Sequence, residues 1–135
     1  MGTEFDNVQG LPVSFPISGT IGANDVGSSL TVGGTGNTQY YVPTGFRFRP
    51  LYLTVGLAGA VSAGSIRIYC RDGTTEIAGP TVTLTDADHG SDTARLHEGP
   101  GVAAGHVIDV AEDTTSDFAG AAGVAGVLAG VLVPA

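Results

Sequence analysis

Apolar and polar residues alternate through the middle of this chain, and near its end the polar ones stop. Phe46 and Phe48, then Leu51, Leu53, Val55 and Leu57, are interleaved with Arg47, Arg49, Tyr52 and Thr54. A period of two predicts a half-buried β-strand. The phase slips by one at Pro50, which predicts a bulge or bend there. Ile66, Ile68 and Cys70 alternate with Arg67, Tyr69 and Arg71, and Asp72-Gly73 then opens a hairpin because Asp-Gly tolerates the positive φ of tight turns. Thr81 to Thr85 sets Val82 and Leu84 on one face, Ala94 to His97 reads as a short strand, and Val107 to Val110 follows the Gly-rich stretch at 98–105.

The last segment breaks the alternation. Phe118 to Val133 carries no charge and no strong polar group. Four glycines, at 120, 123, 126 and 130, argue against an exposed helix, since each costs about 1 kcal/mol relative to Ala. A strand fits better. Val127, Ala129, Val131 and Val133 then share one face, with Leu128, Gly130 and Leu132 on the other. Both faces are apolar. One is expected to meet the domain's own core, and the other a second sheet or a sister subunit. The glycines suit close approach of chains, and a homotrimer with this segment near its axis is the expected assembly. The run is shorter than the roughly 20 residues that a bilayer requires and lacks basic flanks, so no membrane span is expected.

Residues 1–45 read as an irregular N-terminal arm with short edge strands. Their apolar pieces are brief, Pro12 and Pro16 interrupt the first, and GGTGNT at 33–38 is loop by composition. The first 30 or so residues are expected to pack poorly on their own domain and to contact a neighbour. Residues 46–135 form the folded domain. Many short strands, breakers between them and no capped 3.6-residue period predict an all-β fold: a jelly-roll-like β-sandwich of about eight short antiparallel strands.

Composition narrows function mainly by exclusion. The 135 residues suffice for one domain, and charged residues are 13% against a usual share of about 25%. Five arginines and no lysine stand against thirteen acids, a formal net charge of −8. Direct nucleic-acid binding and attachment to an anionic membrane are therefore not expected. Without lysine there is no Schiff-base chemistry and no P-loop lysine. The N-terminus MGTEFDNVQG has acids where a signal peptide needs bases, so synthesis without a signal peptide is expected. Cys70, in phase with Ile66 and Ile68, reads as a buried small hydrophobe.

No motif points to catalysis, and the chain is not expected to be an enzyme or to carry a cofactor. The best metal candidate is Asp86, Asp88 and Asp92 in DADHGSD, where D-x-D spacing lets alternate side chains converge on a calcium ion. Gly90 stands where a third ligand belongs, and a polar hairpin loop accounts for the same residues. His89, His97 and His106 lack zinc-ligand spacing. Asp109, Glu112, Asp113 and Asp117 read as a solvated turn. Arg47, Arg49, Arg67 and Arg71 lie on two strands that could be neighbours and point away from the core. They either set the register of an interface with another chain or pair with this chain's own acids. With Val127, Leu128, Val131 and Leu132 they make up the candidate interface.

The runs YYVPTGFRFRPLYLTVGL, SIRIYCRDGTTEIAGPTVTLT, RLHEGPGVAAGHVIDV and VLAGVLVPA, spanning roughly residues 40–135, resemble in texture the small β-rich virion proteins of tailed bacteriophages and gene transfer agents, specifically head decoration and head-spike or fibre-base proteins. The resemblance implies a homo-oligomer, often a trimer, docked on a capsid protein and sometimes carrying a fibre protein. It would be made in the bacterial cytoplasm and located on the capsid surface of the virion. No functional residue is carried over from the resemblance. The alternative is a lectin-like, carbohydrate-binding receptor-recognition module. That reading needs exposed aromatics, and the chain offers no Trp and only Tyr40, Tyr41, Tyr52 and Tyr69.

Overall fold

The computed structural model describes residues 10–33, 37–94, 101–120 and 123–135. All regular structure among them is β. The strands are β1 (Leu11–Thr20), β2 (Val26–Ser29), β3 (Thr31–Val32), β4 (Gln39–Tyr41), β5 (Phe46–Leu57), β6 (Ile66–Asp72), β7 (Thr75–Glu76), β8 (Val82–Leu84), β9 (His89–Thr93), β10 (Val107–Thr114) and β11 (Gly123–Pro134). One sheet runs β3-β1-β11-β5-β9, and the other β2-β10-β6-β7, with β4 added to β10 and β8 to β6.

The pairing is nested. β1 pairs antiparallel with β11, β2 and β4 with β10, β5 with β9, and β6 with β8. Alternate rungs of this ladder fall in opposite sheets, which is jelly-roll topology wrapped around one core. The inward positions follow from the period of two. Phe15, Ile17, Leu53, Val55, Val124 and Leu128 from the first sheet meet Ile66, Ile68, Val82, Leu84, Ile108 and Val110 from the second. Phe15, Tyr40 and Phe48 form an aromatic cluster with ring centroids 4.5 to 6.2 Å apart.

Two turns match the sequence reading. Gly73 takes φ +64° in the tight turn between β6 and β7. The slip at Pro50 is a bulge: Ala129 pairs with Tyr52 but Gly130 with Pro50, so Leu51 is the extra residue. The bulge restores the phase, so that Phe48 and Leu53 both point inward and both are fully buried.

Four expectations are corrected. Leu11–Thr20, expected at an edge or in an arm, lies between β3 and β11 and pairs with β11 along its whole length. Pro12 and Pro16 fit because they sit on the outward phase, while Phe15 and Ile17 on the other phase are buried. Leu30, Val32 and Val42, also from the expected arm, join the same core, so a boundary at residue 45 cuts through a single packed unit. Residues 1–9 lie outside the described residues, as do 34–36 of the predicted loop and most of the strand expected at 94–97. Asp86–Asp92, read as a loop, enters β9 at His89. Val107–Val110 is the first half of a longer strand that continues through the supposedly solvated acids to Thr114.

The glycines of β11 also act differently from expectation. Gly130 faces the core of its own domain. A Cβ there would collide first with the Arg49 backbone carbonyl of β5 and then, at 2.7 Å, with the Phe48 ring, so the missing side chain makes room for the close β5–β11 approach and for that ring. Gly130→Ala is therefore expected to destabilise the protein by about 1–3 kcal/mol as an overpacked core. Urea unfolding checks this, and adding Phe48→Leu should return part of the loss.

Candidate interaction faces

A sandwich has two outer faces, and here they differ in chemistry. On the second sheet the outward positions of β6 and β10 carry Arg67, Tyr69 and Arg71 opposite Asp113, Ala111 and Asp109. Arg67 forks onto Glu76 at 2.7 and 3.0 Å and reaches Asp113 at 3.0 Å. Its guanidinium lies over the Tyr69 ring, 4.0 Å from the centroid. Asp113 also accepts from the Tyr69 hydroxyl at 3.1 Å and the Gly27 amide at 2.8 Å. Partial burial opposes ionisation of Asp113, but the Gly27 amide, Arg67 and Tyr69 outweigh it and hold its pKa below the ordinary carboxylate range. The hydrogen bonds from Arg67 do the same for Glu76.

Arg71 is more enclosed. It donates to Asp109 at 2.8 Å, to the Ser29 hydroxyl at 3.1 Å and to the Gly27 carbonyl at 3.1 Å. Asp109 is buried with it, and Ser29 adds a second hydrogen bond to the same carboxylate oxygen at 3.1 Å. This buried pair ties β2, β6 and β10 together. Removing one partner strands the other charge, so Arg71→Met is expected to cost about 3–5 kcal/mol. The exposed Arg67–Glu76 pair is screened by water, so Glu76→Gln should cost less than about 1 kcal/mol. Chemical unfolding of both variants tests this ranking.

Arg67 and Arg71 are thus engaged with acids of their own chain. Arg47 and Arg49, expected on a neighbouring strand, lie on β5 in the other sheet. The four arginines do not form one patch.

The outer face of the five-stranded sheet carries its charge at the ends, with Arg47 and Arg49 on β5 and His89, paired to Asp88, on β9. Its rows are Pro12, Ser14, Pro16 and Ser18 on β1 and Val131, Ala129, Val127 and Ala125 on β11. Arg49, Tyr52, Thr54 and Gly56 follow on β5, then Thr93, Ser91 and His89 on β9. No described outward position on these four strands is a carboxylate. Val127 and Tyr52 are 37% and 38% exposed, while Leu128 and Leu132 on the reverse of β11 are 0% and 7% exposed. Val127 and Val131 therefore belong to the open face, and Leu128 and Leu132 to the core. An open apolar depression of about 410 Å³ sits at the end of the β5–β11 pair, lined by Gly56, Leu57, Ala58, Gly123, Val124 and Ala125.

The other candidates do not assemble into a site. Asp88 bonds the His89 ring at 2.8 Å, Asp92 accepts the Thr81 amide at 2.8 Å, and Asp86 is exposed. Among the described residues no three His, Cys, Asp or Glu side chains are grouped to hold a metal ion. His106 pairs with Asp72 at 3.0 Å, and His97 lies outside the described residues. Cys70 is buried, and burial, with Asp109 nearby, pushes its thiol up to about 12, so it remains protonated. No described helix is long and apolar enough to cross a membrane. Sequence reasoning misplaces Glu112, reading it as part of a solvated turn. Glu112 is in phase with Ile108 and Val110 and completely buried. Continuing the alternation of β10 past Val110 would have found it.

A comparison with protein-family models finds no match, and a search of curated proteins finds no relative.

Proposed function

We propose that this protein is a structural assembly module, a jelly roll that self-associates and docks on a larger protein shell as a capsid decoration or head-spike base protein. The observation that carries the reading is the outer face of the five-stranded sheet. In a chain of net charge −8, the outward positions of β1, β11, β5 and β9 carry no carboxylate among the described residues, and proline, alanine, valine and tyrosine fill the centre. Acidic copies of one chain repel each other, and a face without acids is where two of them can meet. The occupant proposed for it is therefore a sister copy. The shell partner comes from the resemblance in texture to head proteins, and the jelly roll, which recurs in viral capsids and in lectins, agrees with it by fold analogy alone.

The lectin reading has less support. The exposed aromatics among the described residues are Tyr41 at 64% and Tyr52 at 38%, and they belong to different sheets, so they share no stacking platform.

Val127→Asp is expected to leave a folded monomer, because the new charge falls on the open face. Leu132→Asp is expected to unfold the protein, because that side chain is in the core. Mass in solution and co-sedimentation with purified capsids provide the readouts. A Val127→Asp protein with unchanged oligomeric mass would rule out this face as the contact. Binding to a glycan array without capsid binding would favour the lectin.

A further inference from the structure

Glu112 is the most anomalous group in the fold, and it lies away from the proposed assembly face. It points into the layer between the sheets, beside Ile68 on β6 and Ser28 on β2, at the position where the β2–β10 register shifts. It is fully buried, and neither carboxyl oxygen has a hydrogen-bond partner. The side chain that interacts with it is Asp25, in the corner between β1 and β2.

That corner is held firmly. The Asp25 carboxylate accepts the Gly22 amide at 2.8 Å, the Asp25 amide donates to the Thr114 hydroxyl at 2.8 Å, and that hydroxyl donates to the Gly22 carbonyl at 2.7 Å. The Thr114 amide donates to the Asp25 carbonyl at 2.7 Å, and Asn24, at φ 61°, donates to Thr115. Asp25 is thereby fixed against Glu112. The charged groups acting on Glu112 are Asp25 from the corner and Asp113 from its own strand, both acidic. Arg67 and Arg71 are on the opposite, outward phase of β6 and are committed to other acids. Among the described residues, a carboxylate at position 112 would have no counterion.

We propose that Glu112 is a proton-operated latch on the β1–β2 corner: as a neutral acid it lies sealed beside Asp25, and loss of its proton drives the corner away from β10. The proton goes to solvent, and the carboxylate left at position 112 is fully buried and faces the half-buried acid Asp25, an arrangement that burial and like charge both disfavour. Burial first, then Asp25 and Asp113, push the Glu112 carboxyl from 4.5 up to about 8. A pKa raised on folding means that the native state holds a proton the unfolded chain has already lost. Stability from this group is therefore complete below about pH 4.5, falls as pH rises, and is gone above about pH 8. The lowered Asp113 and Glu76 have the opposite sign, their stabilisation being lost as pH falls through the acid range.

The test is a carboxyl and amide NMR titration of the intact protein from about pH 4 to 10, spanning the ordinary and raised carboxyl ranges. Glu112 should titrate near 8, and the amides of Gly22, Asn24 and Asp25 should shift with the same midpoint. Glu112→Gln should abolish those corner shifts, and Asp25→Asn should lower the Glu112 midpoint. Titration of wild-type Glu112 in the ordinary glutamate range would overturn the proposal, as would corner amides that ignore it. Calcium chloride that shifts the same resonances at neutral pH, and raises the unfolding temperature only when Glu112 is present, would mark a cation site and also overturn it.

Discussion

The fold depends on the burial of one face of its last strand. Val124, Leu128 and Leu132 on β11 are all buried, and the strand lies between β1 and β5 with long ladders on both sides. The first and last strands of the chain are thereby neighbours, and the remaining nested pairs follow inside that closure. Burying each large aliphatic side chain contributes about 1.5–3 kcal/mol, so the inner face of β11 stabilises the sandwich more than any surface ion pair can. Gly130 shows how tight the fit is, since the Arg49 carbonyl and the Phe48 ring occupy the space its side chain would need. The contacts are also far apart in sequence, which predicts slow folding relative to a helical chain of this size.

Charge is sorted by face around this core. The outward side of the second sheet gathers Arg67 and Arg71 with Glu76, Asp109 and Asp113, which pair within the chain, although Arg71 Nε and Asp109 Oδ1 are buried without a hydrogen-bond partner. The outward side of the first sheet presents small and apolar groups at its centre, with Arg47, Arg49 and His89 toward its ends. Glu112 is the exception, an acid pointing inward where the strand pattern calls for an apolar residue. It lies beside Asp25, and the described arginines of that sheet are paired elsewhere, which favours its protonated form.

Much of this was legible in the residues. Alternation from Phe46 onward identified the strands, Asp72-Gly73 the hairpin, the slip at Pro50 the bulge, and the run from Phe118 the strand that needs covering. What failed were inferences from local composition to tertiary place. Pro12 and Pro16 argue for an edge because proline cannot donate to a ladder, yet proline at outward positions leaves Phe15 and Ile17 free to enter the core. Asp109, Glu112 and Asp113 look like a turn because acids favour water, yet cross-strand partners from β2 and β6 put them on a central strand. Those partners are more than 35 residues away in the chain, so no local window contains them. The same limit applies to the arginines. Strands adjacent in sequence, β5 and β6, belong to different sheets.

We propose that β11 works on both faces: its inner side closes the domain, and a sister copy covers its outer side. Thiol labelling tests it directly, because Cys70 is 1% exposed and its protonated thiol gives a silent background. A single cysteine placed by Val127→Cys should react slowly with a maleimide in the assembled protein and quickly once dilution releases monomers. A reference cysteine at the exposed turn, Thr74→Cys, should react quickly throughout. Equal, fast labelling at both positions under assembling concentrations would contradict the account, because the outer face of β11 would then be open to water.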